Sequence, residues 1–493
     1  MTPAFEDIPK TALWKRMLLG CALVVFATAS ATAVAAFREV DRVVDALKEN
    51  PSLELQSLAV TDPGKPQTIL LLGSDRRPDN ATDGGAGTGA RSDTIILVRL
   101  DPDKGTALMS LPRDLKVQIP GFGTDKINAA YELGGPNLTL KTVRRLTGLP
   151  VNHVINVDFQ GFRKAVDAIG CIYLDIDRRY FNDTADFAYI NVYPGYQKLC
   201  GEEALEYARF RHEDTDLVRS ARQQEVLREA KQQIGAGQLY TDRNKLIKIF
   251  GKYTTSDEAL KSRQGILRLL KLAVYSVEEP LREVHFEGEI TEGDVGAGLP
   301  SYVTASNATV KALTAQFLGI EETEGPRGSG GGQRRKKSKP GDPDGGLFKD
   351  PGSGRDLAVR TIQKAKRKDA GRLPIYYPTV FLEGASADQA TRNYRIKTPG
   401  GKVERAYRMP ISAPLFGDYY GLQGTTWKNP PILDSESEER RQGERTFEVH
   451  YDGDRVRLVA WRTSKAVYWV SNTLRQTLTE RQMLAIARST RLP

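Results

Sequence analysis

The chain of 493 residues is poor in the residues from which metal centres and nucleophilic sites are usually built. It contains 4 histidines and 3 cysteines, and the histidines show no spacing typical of a zinc site. No zinc-finger pattern, no RNA-binding aromatic signature and no Ser-His-Asp or Cys-His set is recognisable. We therefore expect no nucleic-acid partner.

The few cysteines leave the redox compartment open. Cys21 lies in an apolar N-terminal run, so Cys171 and Cys200 remain as a candidate pair. If the chain is exported, these two could form a disulfide, whereas in the cytosol they would be small buried residues.

Neither sign of charge dominates the chain. The net charge of +9 is the difference between 71 basic and 62 acidic residues, which suits an anionic surface or ligand. At 493 residues the chain exceeds one ordinary hydrophobic core, and we expect two folded domains with connecting segments.

Residues 17–37 are uncharged and long enough to cross a bilayer as a helix. Basic residues precede this run, so we predict a cytoplasmic tail at 1–16, a single-pass anchor in the cell membrane at 17–37, and an extracellular remainder. A signal-peptidase site within 31–36 is the alternative and would release a secreted protein.

Apolar runs at 68–75, 91–98 and 106–114 each carry ionisable residues at an end and are typical of strands buried on both faces. Strands alternate with helical patterns as far as residue 320, which predicts an α/β domain with helices on both faces. We assign a stalk to 38–65, the α/β domain to 66–320, a basic Gly/Pro linker to 321–346, and a smaller α+β domain to 347–493.

An arginine-rich stretch at 207–225 is the strongest local signal. If extended, Arg209 and Arg211 would point to one face, and a helix starting near 213–216 would place Arg219, Arg222 and Gln223 on another. Guanidinium groups match phosphate oxygens two at a time, so the stretch indicates an anion site. A solvated helix face laced with salt bridges is the alternative.

Five segments within 66–320 together resemble the LytR-CpsA-Psr family of bacterial cell-wall enzymes. In order they are GSDRR at 73–77, RSDT at 91–94, SLPRD at 110–114, KINAAY at 126–131 and EALEYARFRHEDTDLVRSARQQ at 203–224. The anchor agrees with this resemblance, and the C-terminal region resembles extensions found on actinobacterial members.

The resemblance implies a three-layer α/β/α fold with a central mixed sheet and a long apolar pocket for a polyprenyl chain. It also implies a phosphotransferase that moves a glycopolymer from a polyprenyl-pyrophosphate carrier to peptidoglycan. Such chemistry needs a hard cation and several guanidinium groups but no protein nucleophile. A lipid pyrophosphatase and a non-catalytic envelope sensor remain alternatives.

Carried over by position, the resemblance assigns the site residues. Asp75 and Asp93 would hold Mg²⁺ or Mn²⁺, and either could serve as the base. The catalytic set is Asp75, Asp93, Arg113, Arg209 and Arg211; the substrate-binding set is Arg91, Arg113, Arg209, Arg211, Arg219, Arg222 and Gln223. A disulfide between Cys171 and Cys200 resembles one in some relatives. The glycine-rich segment at 78–90 departs from the family pattern and is either a lid or a solvated loop.

Overall fold

The computed structural model describes residues 38–74, 92–184, 189–210, 215–272, 281–291, 301–320 and 346–493, apart from brief gaps inside these ranges. The predicted anchor at 17–37, the segment at 78–90 and nearly all of the predicted linker lie outside them, as do Asp75, Arg91 and Arg211. Within the described ranges, no helix is both long and apolar enough to cross a membrane.

A six-stranded mixed sheet forms the centre of the first domain, with strand order β11-β6-β1-β2-β3-β12. Its strands are β1 (Gln67–Ser74), β2 (Ser92–Asp101), β3 (Gly105–Ser110), β6 (His153–Asp158), β11 (Thr254–Ser256) and β12 (Leu281–Val284). Strand β1 runs antiparallel to β2 and parallel to β6, and β12 runs parallel to β3. The predicted mixed α/β fold with a central mixed sheet is confirmed.

The described helices are α1 (Ala129–Thr147), α2 (Phe159–Ala168), α3 (Gly201–Arg209), α4 (Asp216–Gln233), α5 (Ala236–Tyr253), α6 (Asn307–Leu318), α7 (Pro351–Lys366) and α8 (Glu480–Arg488), with shorter helical segments at 40–48 and 264–269. Helices cover both faces of the sheet. Leu70 and Leu72 of β1 join a core cluster with α1 and α6, whereas Ile69 and Leu71 belong to a cluster with 40–48 and α5. Successive residues of β1 thus serve opposite layers.

The helical segment at 40–48 packs against the sheet, which differs from the free stalk that we predict for 38–65. Val40, Val44 and Leu47 are buried there in one apolar cluster with Ile69. Their spacing of four and three residues places them on one helix face. The polar residues of the segment lie on the other face of the helix. Residues 40–48 are therefore packed on the folded domain and do not form a stalk.

Smaller strand pairs complete the first domain and join it to the second. They are β4 (Lys116–Ile119) with β5 (Gly123–Lys126), β7 (Ile172–Ile176) with β10 (Gly195–Leu199), β8 (Tyr180–Asn182) with β9 (Ile190–Val192), β13 (Glu289–Thr291) with β14 (Tyr302–Thr304), and β15 (Leu347–Lys349) with β16 (Val380–Leu382). Cys171 and Cys200 form a disulfide. They flank the antiparallel pair in which Ile172 lies opposite Leu199, so the pairing brings them together.

The C-terminal domain is built on a seven-stranded antiparallel sheet with order β17-β18-β19-β23-β22-β21-β20. The strands are β17 (Arg392–Lys397), β18 (Val403–Ser412), β19 (Tyr419–Thr425), β20 (Ser437–Gln442), β21 (Arg445–Asp452), β22 (Arg455–Arg462) and β23 (Val467–Ser471). Gly453 takes a positive φ of 60° in the turn between β21 and β22. The terminal helix α8 begins after Thr479, whose side chain caps it.

The two domains share a buried aromatic and charged interface. Tyr173 and Tyr196 of the first domain cluster with Trp469 of the second, and Tyr196 meets Trp469 edge to face. The carboxylate of Asp175 accepts hydrogen bonds from Trp469 Nε1 at 2.9 Å and from Arg408 at 3.2 Å. Both members of this ion pair are buried, so each depends on the other for compensation.

Replacing Asp175 with alanine should therefore destabilise the chain by about 3–5 kcal/mol, because Arg408 would be left as an unpaired buried charge. Chemical denaturation of the full chain measures this loss. The matched control is Glu202→Ala, which breaks the more exposed pair with Arg163 and should cost less than about 1 kcal/mol. Equal effects of the two substitutions would contradict a buried charged interface.

Candidate active site

The sequence motifs converge where β2 begins and β3 ends. The N–H of Leu111, just after β3, donates to the carbonyl of Ile95 in β2 at 2.8 Å. This pairing sets Arg113 beside Asp93. Helix α3 then brings Arg209 to the same place with its last residue, and α4 brings Arg219 and Gln223 with its first two turns.

Asp93 is the residue that these groups share. Its carboxylate accepts a hydrogen bond from Arg113 Nη1 at 2.6 Å and lies 3.8 Å from Arg209 Nη2. The side-chain amide of Gln223 donates to the backbone carbonyl of Asp93 at 3.4 Å. Arg113, Arg209 and Gln223 therefore meet at Asp93, so that four predicted site residues lie together.

The electrostatics keep Asp93 ionised. Burial alone would raise the pKa of this carboxyl, but the positive charges of Arg113, Arg219 and Arg209 outweigh burial and lower the pKa. An ionised carboxylate at this position is a suitable oxygen ligand for Mg²⁺ or Mn²⁺.

Arg209 reaches the site from a helix and not from a strand. Helix α3 continues through Arg209, because the N–H of Phe210 still donates to the carbonyl of Glu206 at 3.0 Å. Arg209 is therefore helical, and the extended conformation considered for Arg209 and Arg211 does not apply to Arg209. Its guanidinium stacks 4.1 Å from the ring centre of Phe159, a contact that favours a fixed orientation.

Arg219 lies in a more buried layer behind the site. It forms an ion pair with Asp216, whose carboxylate also accepts a hydrogen bond from the backbone N–H of Asp114 at 3.1 Å. Burial first, and then the charge of Arg113, lower the pKa of Arg219 to about 9, while Asp93 and Asp114 act in the opposite direction. Positive charge is therefore crowded here, and an added anion would relieve it.

The structure does not bring Arg222 into this group, although the sequence places it in the substrate-binding set. Residues 222 and 223 are about 100° apart on a helix, so Gln223 and Arg222 cannot face the same way. The Arg222 guanidinium is fully buried and donates to the carbonyls of Tyr207 and Phe210 at the end of α3. A cation that pairs with the last carbonyls of a helix is a structural cap.

Two buried donors in the site make no hydrogen bond within the described residues, the Nε atoms of Arg113 and Arg209. Arg113 Nε does lie within ion-pair distance of two carboxylates, at 3.7 Å from Asp114 and 3.9 Å from Asp216. Buried donors without acceptors are costly, and this arrangement is expected where a ligand supplies the acceptor.

An apolar cavity of about 460 Å³ adjoins the arginines. Its walls include Leu71, Phe162, Leu246, Phe250 and Val226, and Arg209 and Gln223 line it as well. The cavity lies between the sheet and helices α2 to α5. One space thus offers hydrocarbon contact and guanidinium groups together.

Sequence reasoning missed the residues that close this cavity. Val43 contributes from the segment predicted as a stalk, and Leu246, Ile247, Ile249 and Phe250 contribute from α5. The apolar spacing of three and four residues within α5 was the available signal. Phe159, which supports Arg209, carried no sequence signal of its own.

Asp75, Arg91 and Arg211 lie outside the described residues, so their roles stay predictions. Of the expected metal-binding pair, the structure places Asp93 beside Arg113 and Arg209. Its ionised carboxylate suits a divalent cation, but no second ligand is defined by the described residues.

The cavity combines apolar walls with the guanidinium of Arg209. The sequence profile of the LytR_cpsA_psr family matches residues 25–316, which is more than half of the chain. The chain therefore belongs to this family.

Named relatives match about half of the chain. A protein of Enterococcus faecalis, named polyisoprenyl-teichoic acid–peptidoglycan teichoic acid transferase TagU, is 34% identical over 215 residues, or 43% of this chain and 68% of the relative. A protein of the same name from Oceanobacillus iheyensis is 30% identical over 273 residues, or 52% of this chain and 81% of the relative. The crystal structure of Bacillus subtilis TagV superposes with a TM-score of 0.43 at 25% identity, covering 52% of this chain and 98% of that one.

Because Arg222 is buried and Arg209 is partly exposed, we predict that substitutions at these two positions differ in their effect on stability. Arg222→Met should lower the free energy of unfolding by about 3 kcal/mol, because it leaves buried carbonyls without donors. Arg209→Gln, at a side chain that is 38% exposed, should change it by no more than about 0.5 kcal/mol. Equal losses in denaturant titrations would contradict the division between structural and site arginines.

Proposed function

We propose that the chain transfers a glycopolymer from a polyprenyl-pyrophosphate carrier to peptidoglycan. The observation that carries the proposal is the single cavity that combines apolar walls with Arg209 and Gln223. The names of the relatives, which are transferases of polyisoprenyl-linked teichoic acid, support it. The glycopolymer itself is not specified by these residues.

The pyrophosphate is held by the arginine cluster. Arg113 and Arg209 present their unpaired Nε donors, and Arg219 adds positive charge from behind. Guanidinium groups bind phosphate oxygens through charge-assisted hydrogen bonds. Fixed donors of this kind stabilise charge that develops on the phosphoryl group during transfer.

Mg²⁺ or Mn²⁺ would be held by Asp93 together with Asp75. When bound, such a cation neutralises charge on the phosphoryl oxygens. The lowered pKa of Asp93 makes this residue a better cation ligand than a general base.

The polyprenyl chain occupies the apolar cavity, with Phe162 and Phe250 among its contacts. Burying hydrocarbon there stabilises the complex by about 25 cal/mol per Å² of apolar surface removed from water. In the transfer step, a hydroxyl of peptidoglycan forms a bond to the glycan-linked phosphorus. The bond from that phosphorus to the bridging oxygen breaks, polyprenyl phosphate leaves with the bridging oxygen and the electron pair of that bond, and the hydroxyl proton is released to water.

This chemistry belongs at the outer surface of the cell membrane, where the predicted anchor at 17–37 would hold the domain next to its lipid substrate. The substrate partners are then the lipid-linked glycopolymer and peptidoglycan. The C-terminal domain either binds the wall or a partner, or regulates the catalytic cleft.

The test is turnover of a polyprenyl pyrophosphate that carries a short glycan, with Mg²⁺ and a peptidoglycan fragment as acceptor. The double variant Arg209→Ala and Arg211→Ala should lose at least about 10³-fold in kcat/KM, because it removes two positive charges that we assign to the pyrophosphate. Arg163→Ala, which removes an exposed arginine paired with Glu202, is the matched control.

Product analysis separates the alternatives. Glycan joined to the acceptor indicates a transferase, whereas free glycan phosphate at the same rate with and without acceptor indicates a pyrophosphatase. Full activity of the double variant would contradict the proposal, and no turnover by the wild-type protein would favour a sensor.

A further inference from the structure

A second cluster of charged side chains lies away from the site, at the buried interface between the two domains. Arg228 of α4 contacts Glu283 at 2.8 Å, Glu229 at 3.3 Å and Asp452 at 3.8 Å. Arg457 of the C-terminal domain contacts Glu229 at 2.9 Å. The candidate site described above uses none of these residues.

The cluster contains more carboxylates than guanidinium groups. Glu225 is 4.0 Å from Arg228 and brings the count to four carboxylates against two arginines. All four carboxylates belong to buried residues. Buried charge without a counter-charge is strongly unfavourable, so the excess must be neutralised by protons or by a cation.

One part of the cluster has the donors of a metal site. Glu283, His285 and Asp452 are 5%, 7% and 7% exposed, and one ligand atom from each lies within 4.8 Å of the others. Glu283 and His285 are two residues apart at the end of β12 and so point to the same side. Asp452 is the last residue of β21 in the other domain.

Two of the possible ligand atoms in this group lie close to each other and make no hydrogen bond within the described residues. Oε1 of Glu283 accepts from Arg228, whereas its buried Oε2 has no hydrogen-bond partner among the described residues. The buried Nε2 of His285 has none among them either, and these two atoms are 3.6 Å apart. A buried histidine nitrogen and a buried carboxylate oxygen that lie side by side without hydrogen bonds call for a ligand, an ion or a proton.

We propose that Glu283, His285 and Asp452 bind one transition-metal dication of the zinc class at the interface between the domains. An imidazole with two carboxylates suits Zn²⁺ or Co²⁺, whereas Mg²⁺ prefers an all-oxygen set.

The metal would join the domains directly. Two ligands come from the end of β12, the strand beside β3, and the third from the end of β21, so coordination links the central sheet to the C-terminal sheet. The ligands are positioned by their neighbours, because Asp452 accepts from the backbone N–H of Glu283 at 3.3 Å and from Gln476 at 2.9 Å. Outer contacts of this kind orient metal ligands.

The experiment uses the full, untagged chain, stripped with a chelator and dialysed against chelator-buffered Zn²⁺. We expect one Zn²⁺ per chain with a raised melting temperature, and Mg²⁺ in excess should not displace it. Co²⁺ in place of Zn²⁺ should give visible d–d absorption. His285→Gln should weaken Zn²⁺ binding by more than about 100-fold, because loss of a ligand exceeds the 10–100-fold typical of an outer-shell change.

His450→Gln is the matched control, since His450 is also buried with an unpaired Nε2 but stands outside the carboxylate cluster. It should bind Zn²⁺ like the wild type. Asp452→Asn serves as a second variant if His285→Gln does not fold, as judged by its melting curve with chelator present.

Two outcomes would overturn the proposal. Wild-type protein that takes up no Zn²⁺ and shows no Zn²⁺-dependent melting shift would mean that protons alone neutralise the cluster. Equal Zn²⁺ affinity of the wild-type, His285→Gln and Asp452→Asn chains would place the bound metal elsewhere.

Discussion

The ionised carboxylate of Asp93 is the constraint on which the site depends. It holds Arg113 at 2.6 Å and lies 3.8 Å from Arg209, two arginines that come from separate parts of the chain. Without this negative charge, the guanidinium groups would repel one another at the end of the sheet. Asp93 therefore assembles the cluster, and the arginines in return keep Asp93 ionised. The Nε atoms of Arg113 and Arg209, which make no hydrogen bond within the described residues, are the donors that we propose for the pyrophosphate.

Helix α4 connects this site with the rest of the protein. Its first turns carry Arg219 and Gln223 into the site, while its last turns carry Arg228 and Glu229 into the interface with the C-terminal domain. Between them, Arg222 binds the end of α3 and so holds Arg209 in place. A rigid helix with both ends fixed makes the position of the site arginines depend on how the second domain is docked.

The sequence predicted those features that depend on local pattern. Apolar runs located β1, β2 and β3, and the arginine-rich stretch singled out Arg209, Arg219 and Gln223, which the structure places around Asp93. The sequence put Arg222 in the substrate-binding set because its contacts with carbonyls of another helix depend on tertiary structure. The packing of 40–48 and the contribution of Val43 to the cavity depend on tertiary contact. His285 showed no metal spacing because its partner Asp452 belongs to a distant strand.

The central claim, that the cavity holds the lipid chain while the arginines hold its head group, is tested most directly by affinity as a function of chain length. Ala165 lines the cavity from α2, so Ala165→Phe fills part of it. We measure the affinity of the Ala165→Phe variant for polyprenyl pyrophosphates of increasing length. For long chains this variant should bind about tenfold or more weakly than the wild type, and for the shortest chains its affinity should be almost unchanged, since only long chains need that space. Lys164→Phe, at an exposed position of the same helix, should leave the affinity for long and short chains unchanged. An equal effect of Ala165→Phe at every length, or none at all, would contradict the account.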